Sequence, residues 1–332
     1  MSLAKRSLMI LSSLCFVGIC IVLSLALGSR HIGFQDVITA LWDKGNTSFA
    51  ALVVRERIPR TIFCIIAGAS LGVSGMMMQA ITRNPIADPS ILGVNTGASL
   101  FVVAGIAFFH IGSANEYILF ALAGAALTAV FVYGIASLGA GGATPIKLAL
   151  AGAATSAALS SLVSALVLPR TNVMNAFRFW QVGSVGGASW EYIIVTLPFL
   201  AIGVIAGLLL APSLNALALG DDVAVGLGVR TGLVRIFGAG VGVLLCGVIT
   251  ALAGPIGFVG LMIPHAMRLL FGADMRFTIP MTAIGGAGIL TLADVIGRLL
   301  GSPGELEVGI VTAFLGAPIL VIIARKVKAR AL

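Results

Sequence analysis

Charge is what this sequence most conspicuously lacks. Only 10% of its 332 residues are Asp, Glu, Lys or Arg, against roughly 25% in a soluble domain, while 59% are hydrophobic and the mean hydropathy is +1.13. That balance excludes a soluble globular domain and indicates an integral membrane protein. Nucleotide- and zinc-binding signatures are missing as well. There is no GxxxxGK[ST] loop, so the chain does not bind nucleotide in the P-loop manner. There is no HExxH pair, and His31, His110 and His265 are scattered, which removes the spacing zinc chemistry needs. The four cysteines, Cys15, Cys20, Cys64 and Cys246, lie in apolar runs without a CxxC pair and read as small buried hydrophobes. Low-complexity tracts, clear internal repeats and long loops are absent too, so residues 1–332 read as a single membrane domain. No catalytic, cofactor or metal-binding residue is assigned. An enzyme, intramembrane types included, has little to stand on.

What is present is a series of long apolar runs. A membrane-spanning helix needs about 20 apolar residues, and ten such stretches fit, near 8–28, 58–80, 91–109, 117–138, 146–168, 191–211, 232–253, 258–270, 278–299 and 309–324. The first follows Lys5 and Arg6 but is longer than a signal-peptide core and is expected to be retained. Two amphipathic pieces, Phe34 to Trp42 and Val173 to Val185, have apolar residues at helical spacing and are expected at the membrane surface. Trp42, Trp180 and Trp190 suit the same boundary. The glycine clusters around Gly238–Gly242 and Gly285–Gly288 lie inside spans and indicate close helix packing.

The formal net charge of +8 might suggest nucleic acid, but it is distributed by side. With the N-terminus inside, ten spans leave twelve basic and four acidic residues on the inner face, and eight of each on the other. The whole positive excess therefore sits on one face, as the positive-inside rule requires of a cytoplasmic side. Both termini and the acidic stretch NALALGDDVAVGLGV at 215–229 are placed there. In that stretch Pro212 is expected to stop the sixth span, with Ser213 or Asn215 capping a short helix whose apolar face includes Leu214, Leu217, Ala218 and Leu219. Gly220 then breaks the chain, and Asp221 caps a second short helix from Asp222 to Leu227 that Gly226 and Gly228 release. An apolar surface rimmed by charge marks a protein interface.

Few ionisable residues lie within the spans. The exception is Asp294 with Arg298, spaced i,i+4 in the ninth. An ion-coupled secondary transporter using Asp294 is the alternative this pair leaves open, beside an ordinary intrahelical ion pair. Arg57 and Arg60 flank Pro59 at the mouth of the second span, where a proline suits a helix's first turn. The turn from Arg83 to Pro89 reads as a structural hinge. Met76, Met77, Met78 and Gln79 either fill the core or face a pathway.

Six stretches in order carry a resemblance: RIPRTIFCIIAGASLGVSGMMMQAITRNPIADPSILGVNTGAS at 57–99, FWQVGS at 179–184, NALALGDDVAVGLGV, GPIGFVGLMIPHAMRLLFGADMR at 254–276, ADVIGR at 293–298 and ELEVGIVTAFLGAPIL at 305–320. Together they resemble the FecCD family, permease subunits of type II ATP-binding-cassette (ABC) importers for iron–siderophores, haem and cobalamin. The resemblance implies an all-α integral membrane protein of about ten transmembrane helices with short cytoplasmic coupling helices, in a bacterial cytoplasmic membrane. It implies a second permease subunit, a cytoplasmic ABC ATPase dimer, an extracytoplasmic substrate-binding protein and a ferric siderophore as cargo, with no nucleic acid. Carried over by position, Arg57, Arg60 and Arg298 would dock the binding protein. Segment 213–229, with Leu214, Leu217, Leu219, Gly220, Asp221, Asp222 and Gly226, would couple to the ATPase.

Overall fold

The computed structural model describes residues 3–43, 45–138 and 144–330. In chain order the helices are α1 (Leu3–Ala26), α2 (Phe34–Trp42), α3 (Phe49–Thr82), α4 (Val94–Ala104), α5 (Ala114–Ala136), α6 (Pro145–Val167), α7 (Thr171–Gln181), α8 (Trp190–Ala218), α9 (Asp221–Gly226), α10 (Thr231–Ala253), α11 (Val259–Phe271), α12 (Met275–Leu300) and α13 (Val308–Arg330). A 3-10 turn, Pro89–Leu92, precedes α4, and a π-helical turn, Gly105–Phe109, extends it. Seven helices are long and apolar enough to cross a bilayer, and three shorter apolar ones, Val94–Phe109, Val259–Phe271 and Val308–Val321, make up the ten expected positions. The two amphipathic pieces form helices, α2 and α7, the second ending at Gln181 rather than Val185. Among the described residues there is no strand.

The organising element is α3, which packs against α12, α10, α8, α11 and α2. Its buried stretch runs from Phe63 to Ile81 almost without interruption, so it is apolar on all sides, as a helix enclosed by others must be. Glycines set how closely its neighbours approach. A Cβ on Gly68 would collide with the backbone of Gly286 in α12, and one on Gly75 with the backbone of Gly260 in α11. Lipid tails compete for apolar surface as well as another helix does, so such close backbone contacts are what hold membrane helices together. Met76, Met77 and Met78 are buried and fill the core. The hydrolase-like spacing Gly68-Ala69-Ser70-Leu71-Gly72 lies mid-helix in this seam, with Ser70 buried, rather than at a strand-to-helix turn where a nucleophile would be presented.

A second layer, α4, α5 and α6, joins this core through α10, which packs on α3, α5, α8 and α4. Gly97 and Gly124 bring α4 and α5 together in the same glycine-to-backbone manner.

Prolines sit inside these helices rather than ending them, and two expectations change accordingly. Pro59 lies eleven residues into α3, because that helix starts at Phe49 with the Ser48 side chain capping the Ala51 N–H. Pro212 does not stop α8, which continues to Ala218. A proline deletes one backbone hydrogen bond, and away from water a helix that continues satisfies more groups than one that ends. At Pro264 in α11 the deletion is repaired from outside. The Gly260 carbonyl, deprived of its i+4 partner, accepts from the Gln79 side chain at 3.2 Å, and the same amide donates to the Leu261 carbonyl at 3.0 Å. Gln79 also accepts from Arg268.

Candidate functional site

Two charged clusters lie along α3, one about a third of the way into the helix and the other at its C-terminal end. Arg60 belongs to one and Arg83, its C-cap, to the other. Twenty-three residues of helix separate them, about 34 Å at 1.5 Å per residue, close to the ~30 Å of a bilayer's hydrocarbon core.

The first cluster is built around the C-terminus of α1, where the last carbonyls have no intrahelical donor. Arg57 donates to the carbonyls of Leu25 at 2.8 Å, Ala26 at 3.1 Å and Arg30 at 2.6 Å. Arg298, from α12, donates to the carbonyls of Ser24 at 3.0 Å and Leu27 at 3.1 Å and to the Ser24 hydroxyl at 2.8 Å. The planar, multi-donor guanidinium suits this task, and positive charge is favoured at a helix C-terminus. Beneath them lies Asp294, 1% exposed. Its Oδ2 faces the Arg298 Nε at 3.0 Å, and its Oδ1 accepts from Arg60 through Nε at 3.1 Å and Nη2 at 2.7 Å. Arg60 turns its remaining edge to Glu305, with Nη1 donating to Oε2 at 2.6 Å. Arg57 and Arg298 are thus buried and engaged with α1, while Arg60 and Glu305 reach the surface. Of the three arginines expected at an outer rim, the structure brings all three together but exposes chiefly Arg60. Asp294 is the counter-ion of two arginines, which is the ion-pair reading of its i,i+4 spacing.

The second cluster carries the acidic stretch. The short helix of the expectation is α9, displaced by one residue: Gly220, not Asp221, occupies the cap, at φ +116°. Only glycine takes that conformation readily. Leu214 and Leu217 are fully buried within α8, so they do not contribute to an external apolar face as expected; α8 continues past Pro212 and turns that side inward. The exposed apolar residues are instead Leu219, Val223, Val225 and Leu227. Asp221 is paired with Arg235 of α10 at 3.0 Å and with Arg83 at 3.4 Å, tying α9 to α3 and α10. Asp222 and Gly226 are exposed. At the base of the cluster Asn215 bridges to the start of α12, donating to Asp274 at 2.8 Å and accepting from the Met275 N–H at 2.9 Å.

Between the ends lies a cavity of about 410 Å³ among α4, α6 and α7, lined in part by Asn95, Ser99, Ser160, Ser164 and Gln181. Asn95 is oriented by α10, whose Thr250 donates to its Oδ1 at 3.1 Å. Ser160, Ser161 and Ser164 of α6 are exposed on a helix long enough to cross the membrane. Their i, i+1, i+4 spacing was the available clue to a weakly polar helix face. Glu305, Arg83 and Arg235 were not singled out as partners, because nothing in sequence spacing joins residues 235 and 221 to 83 or 305 to 60. Among the described residues no group of His, Cys, Asp and Glu could hold a metal ion.

The FecCD transport family matches residues 16–326, which is nearly the whole chain. The chain belongs to the FecCD transport family. Among its relatives, the ferric enterobactin transport system permease protein FepD of Escherichia coli is 41% identical over 92% of this chain and 91% of that protein. The probable siderophore transport system permease protein YfiZ of Bacillus subtilis is 40% identical over 91% of each. In three dimensions this FecCD chain is similar to a chain from an ABC transporter assigned to the metal-chelate type and solved inward-facing, with TM-score 0.82, 27% identity and coverage of 97% and 99%. A chain of PsaBC from Streptococcus pneumoniae, 18% identical with TM-score 0.60 over 87% and 95%, shares the fold. The FecCD protein is therefore a multi-pass membrane permease subunit of a bacterial ABC importer and not an enzyme. Membership implies ATPase subunits, a substrate-binding protein and a second permease as partners.

Proposed function

We propose that this permease carries ferric siderophore complexes across the cytoplasmic membrane, with both termini and the Asp221 cluster in the cytoplasm and the Arg60 cluster outside. The observation that carries the reading is the placement of two unlike charged clusters about 34 Å apart along α3. The cytoplasmic one, with Leu219, Gly220, Asp221, Asp222 and Gly226, is apolar at its tip and charged at its base, and meets the ATPase dimer. Leu214 and Leu217 anchor it in the bundle. ATP-driven closure then moves α9 together with α3 and α10, to which Asp221 is paired. At the outer face Arg60 receives an acidic side chain of the binding protein, and Arg57 and Arg298 hold the end of α1 that frames it. The positive excess on the Asp221 side supports the orientation. The cargo assignment draws on relatives named for siderophore transport and on the hydroxyl-lined cavity beside α6, which suits a bulky complex passed along without tight binding. Either a second copy or a paralogous permease completes the pathway.

The test is uptake of labelled iron complexes by cells expressing the chain together with an ABC ATPase and a substrate-binding protein. Accumulation of a ferric siderophore is expected, and should vanish with an ATPase unable to hydrolyse ATP. Uptake of haem or cobalamin alone would replace the cargo assignment. In the same system Leu219→Glu is expected to reduce ATPase co-purification at least tenfold; full recovery with normal uptake would remove the coupling role.

A further inference from the structure

Most helix glycines of this protein have a neighbour that explains them. Gly238 of α10 lies against Ile81, and Gly242 against Met78 and Ser74. Five do not, Gly18, Gly134, Gly226, Gly232 and Gly240, since a Cβ added at any of them would meet nothing within 4 Å; of these, Gly134 of α5 and Gly240 of α10 share one cavity. A helix glycine costs about 1 kcal/mol relative to alanine, and these two gain no packing in return. Both line one cavity of about 440 Å³ between α5 and α10, with Val130, Tyr133 and Ile236. Its walls are almost wholly apolar. Among the described residues, Arg235 at one end is the single charged residue lining it. From Arg235 to Val243 the groove follows eight residues of α10, about 12 Å, running from the end of the bundle toward its middle. Tyr133, half exposed beside Arg235, has the amphipathic character of residues at the membrane boundary.

The charge at that end is unbalanced. Arg235 and Arg83 both pair with the carboxylate of Asp221, so two guanidiniums share one anion. Arg235 spends Nη2 on Asp221 and Nε on the Ile81 carbonyl. Among the described residues no other acid pairs with either arginine.

We propose that the α5–α10 groove is a binding site for an anionic phospholipid. One acyl chain lies in the slot left by Gly134 and Gly240, and the phosphate is held by Arg235 with the spare charge of Arg83. The occupant is argued from complementarity at both ends: an apolar slot along α10 opening beside two guanidiniums that share one carboxylate. The site requires only that the chain spans a bilayer, and is independent of cargo and of binding-protein docking. Because the same arginines hold Asp221, a bound phosphate stands next to the link between α9 and the bundle.

The experiment uses the full-length chain with its partner subunits in nanodiscs of mixed phosphatidylglycerol and phosphatidylcholine, with lipids retained on purification counted by native mass spectrometry. The wild type is expected to retain phosphatidylglycerol over phosphatidylcholine by about fivefold, the effect of one basic residue at an anionic surface. Arg235→Gln should abolish that preference while leaving a lipid bound. Gly134→Leu with Gly240→Leu, which fills open space, should remove the lipid. In the unmodified protein, phosphatidylglycerol with a photoreactive acyl chain should label α5 and α10 inside the groove. Undiminished retention in the double leucine variant, or labelling elsewhere only, overturns the proposal. So do release of the lipid by inorganic phosphate, which would mark a free-anion site, and cross-links from the groove to a second permease copy.

Discussion

Asp294 lies between Arg60 and Arg298, 2.7 Å from a guanidinium nitrogen of the first and 3.0 Å from the Nε of the second. It is the acid on which two arginines from different helices converge, and one of those arginines holds the end of a third helix. Asp294→Asn keeps the shape and removes the charge, leaving buried Arg298 uncompensated. Breaking a buried pair in this way costs about 3–5 kcal/mol. A lowered unfolding midpoint in detergent is expected, whereas an unchanged midpoint would show that the pair is energetically idle.

Arg57 and Arg298 each bond more than one residue at the end of α1 and just beyond it, a task for a fork rather than a point charge. Arg298→Lys keeps the charge opposite Asp294 but cannot span Ser24 and Leu27 together. Faster hydrogen exchange confined to residues 27–32 is expected, with the rest of the protein unaffected. Uniform exchange rates would mean that α1 is held by its apolar face alone.

The glycine seams give a paired comparison. Gly75→Ala places a methyl against the backbone of Gly260, whereas Gly232→Ala meets nothing. The first is expected to destabilise by about 1–3 kcal/mol, as overpacking does; the second should be neutral or slightly stabilising. Thermal unfolding of both variants in one detergent checks the difference, and equal shifts would contradict the close approach of α3 and α11.

Asp274, outside the spans, has its carboxyl held below the ordinary value of 3.8, first by the Asn215 amide and then by the Arg276 N–H. A carboxyl whose folded value lies below its unfolded one adds stability that is fully present above the unfolded value. That stability is lost as pH falls through the folded one. The stability difference between wild type and Asn215→Ala should therefore be constant from neutral pH down to about pH 5 and shrink only below about pH 4. A difference that vanishes at pH 6 would assign it to another group.

Much of this architecture was legible because apolar runs declare spans without help from tertiary contacts. Phe34 to Trp42 and all ten apolar stretches have a helix in place. Proline was misread at Pro59 and Pro212 because chain-terminating behaviour learned from water does not transfer to a bilayer, where a broken helix exposes more unpaired groups than an intact one with a proline in it. The burial of Leu214 and Leu217 was hidden for the same reason, since it follows from α8 continuing past Pro212. The residue types at the charged ends were visible, but their pairing was not. Arg60 and Glu305 are 245 positions apart, and only the packing of α3 on α12 brings the second to the first.

One consequence follows from α3 holding both Arg60 and Arg83 on a single rod with no break between them. A ligand that shifts this helix at one end works against, or with, whatever grips it at the other. Thermodynamic reciprocity then requires equal exchange in both directions. If nucleotide binding to the ATPase changes the permease's affinity for its binding protein by some factor, docking of the binding protein must change nucleotide affinity by that same factor. The permease would then be the conductor through which its two partners set each other's occupancy.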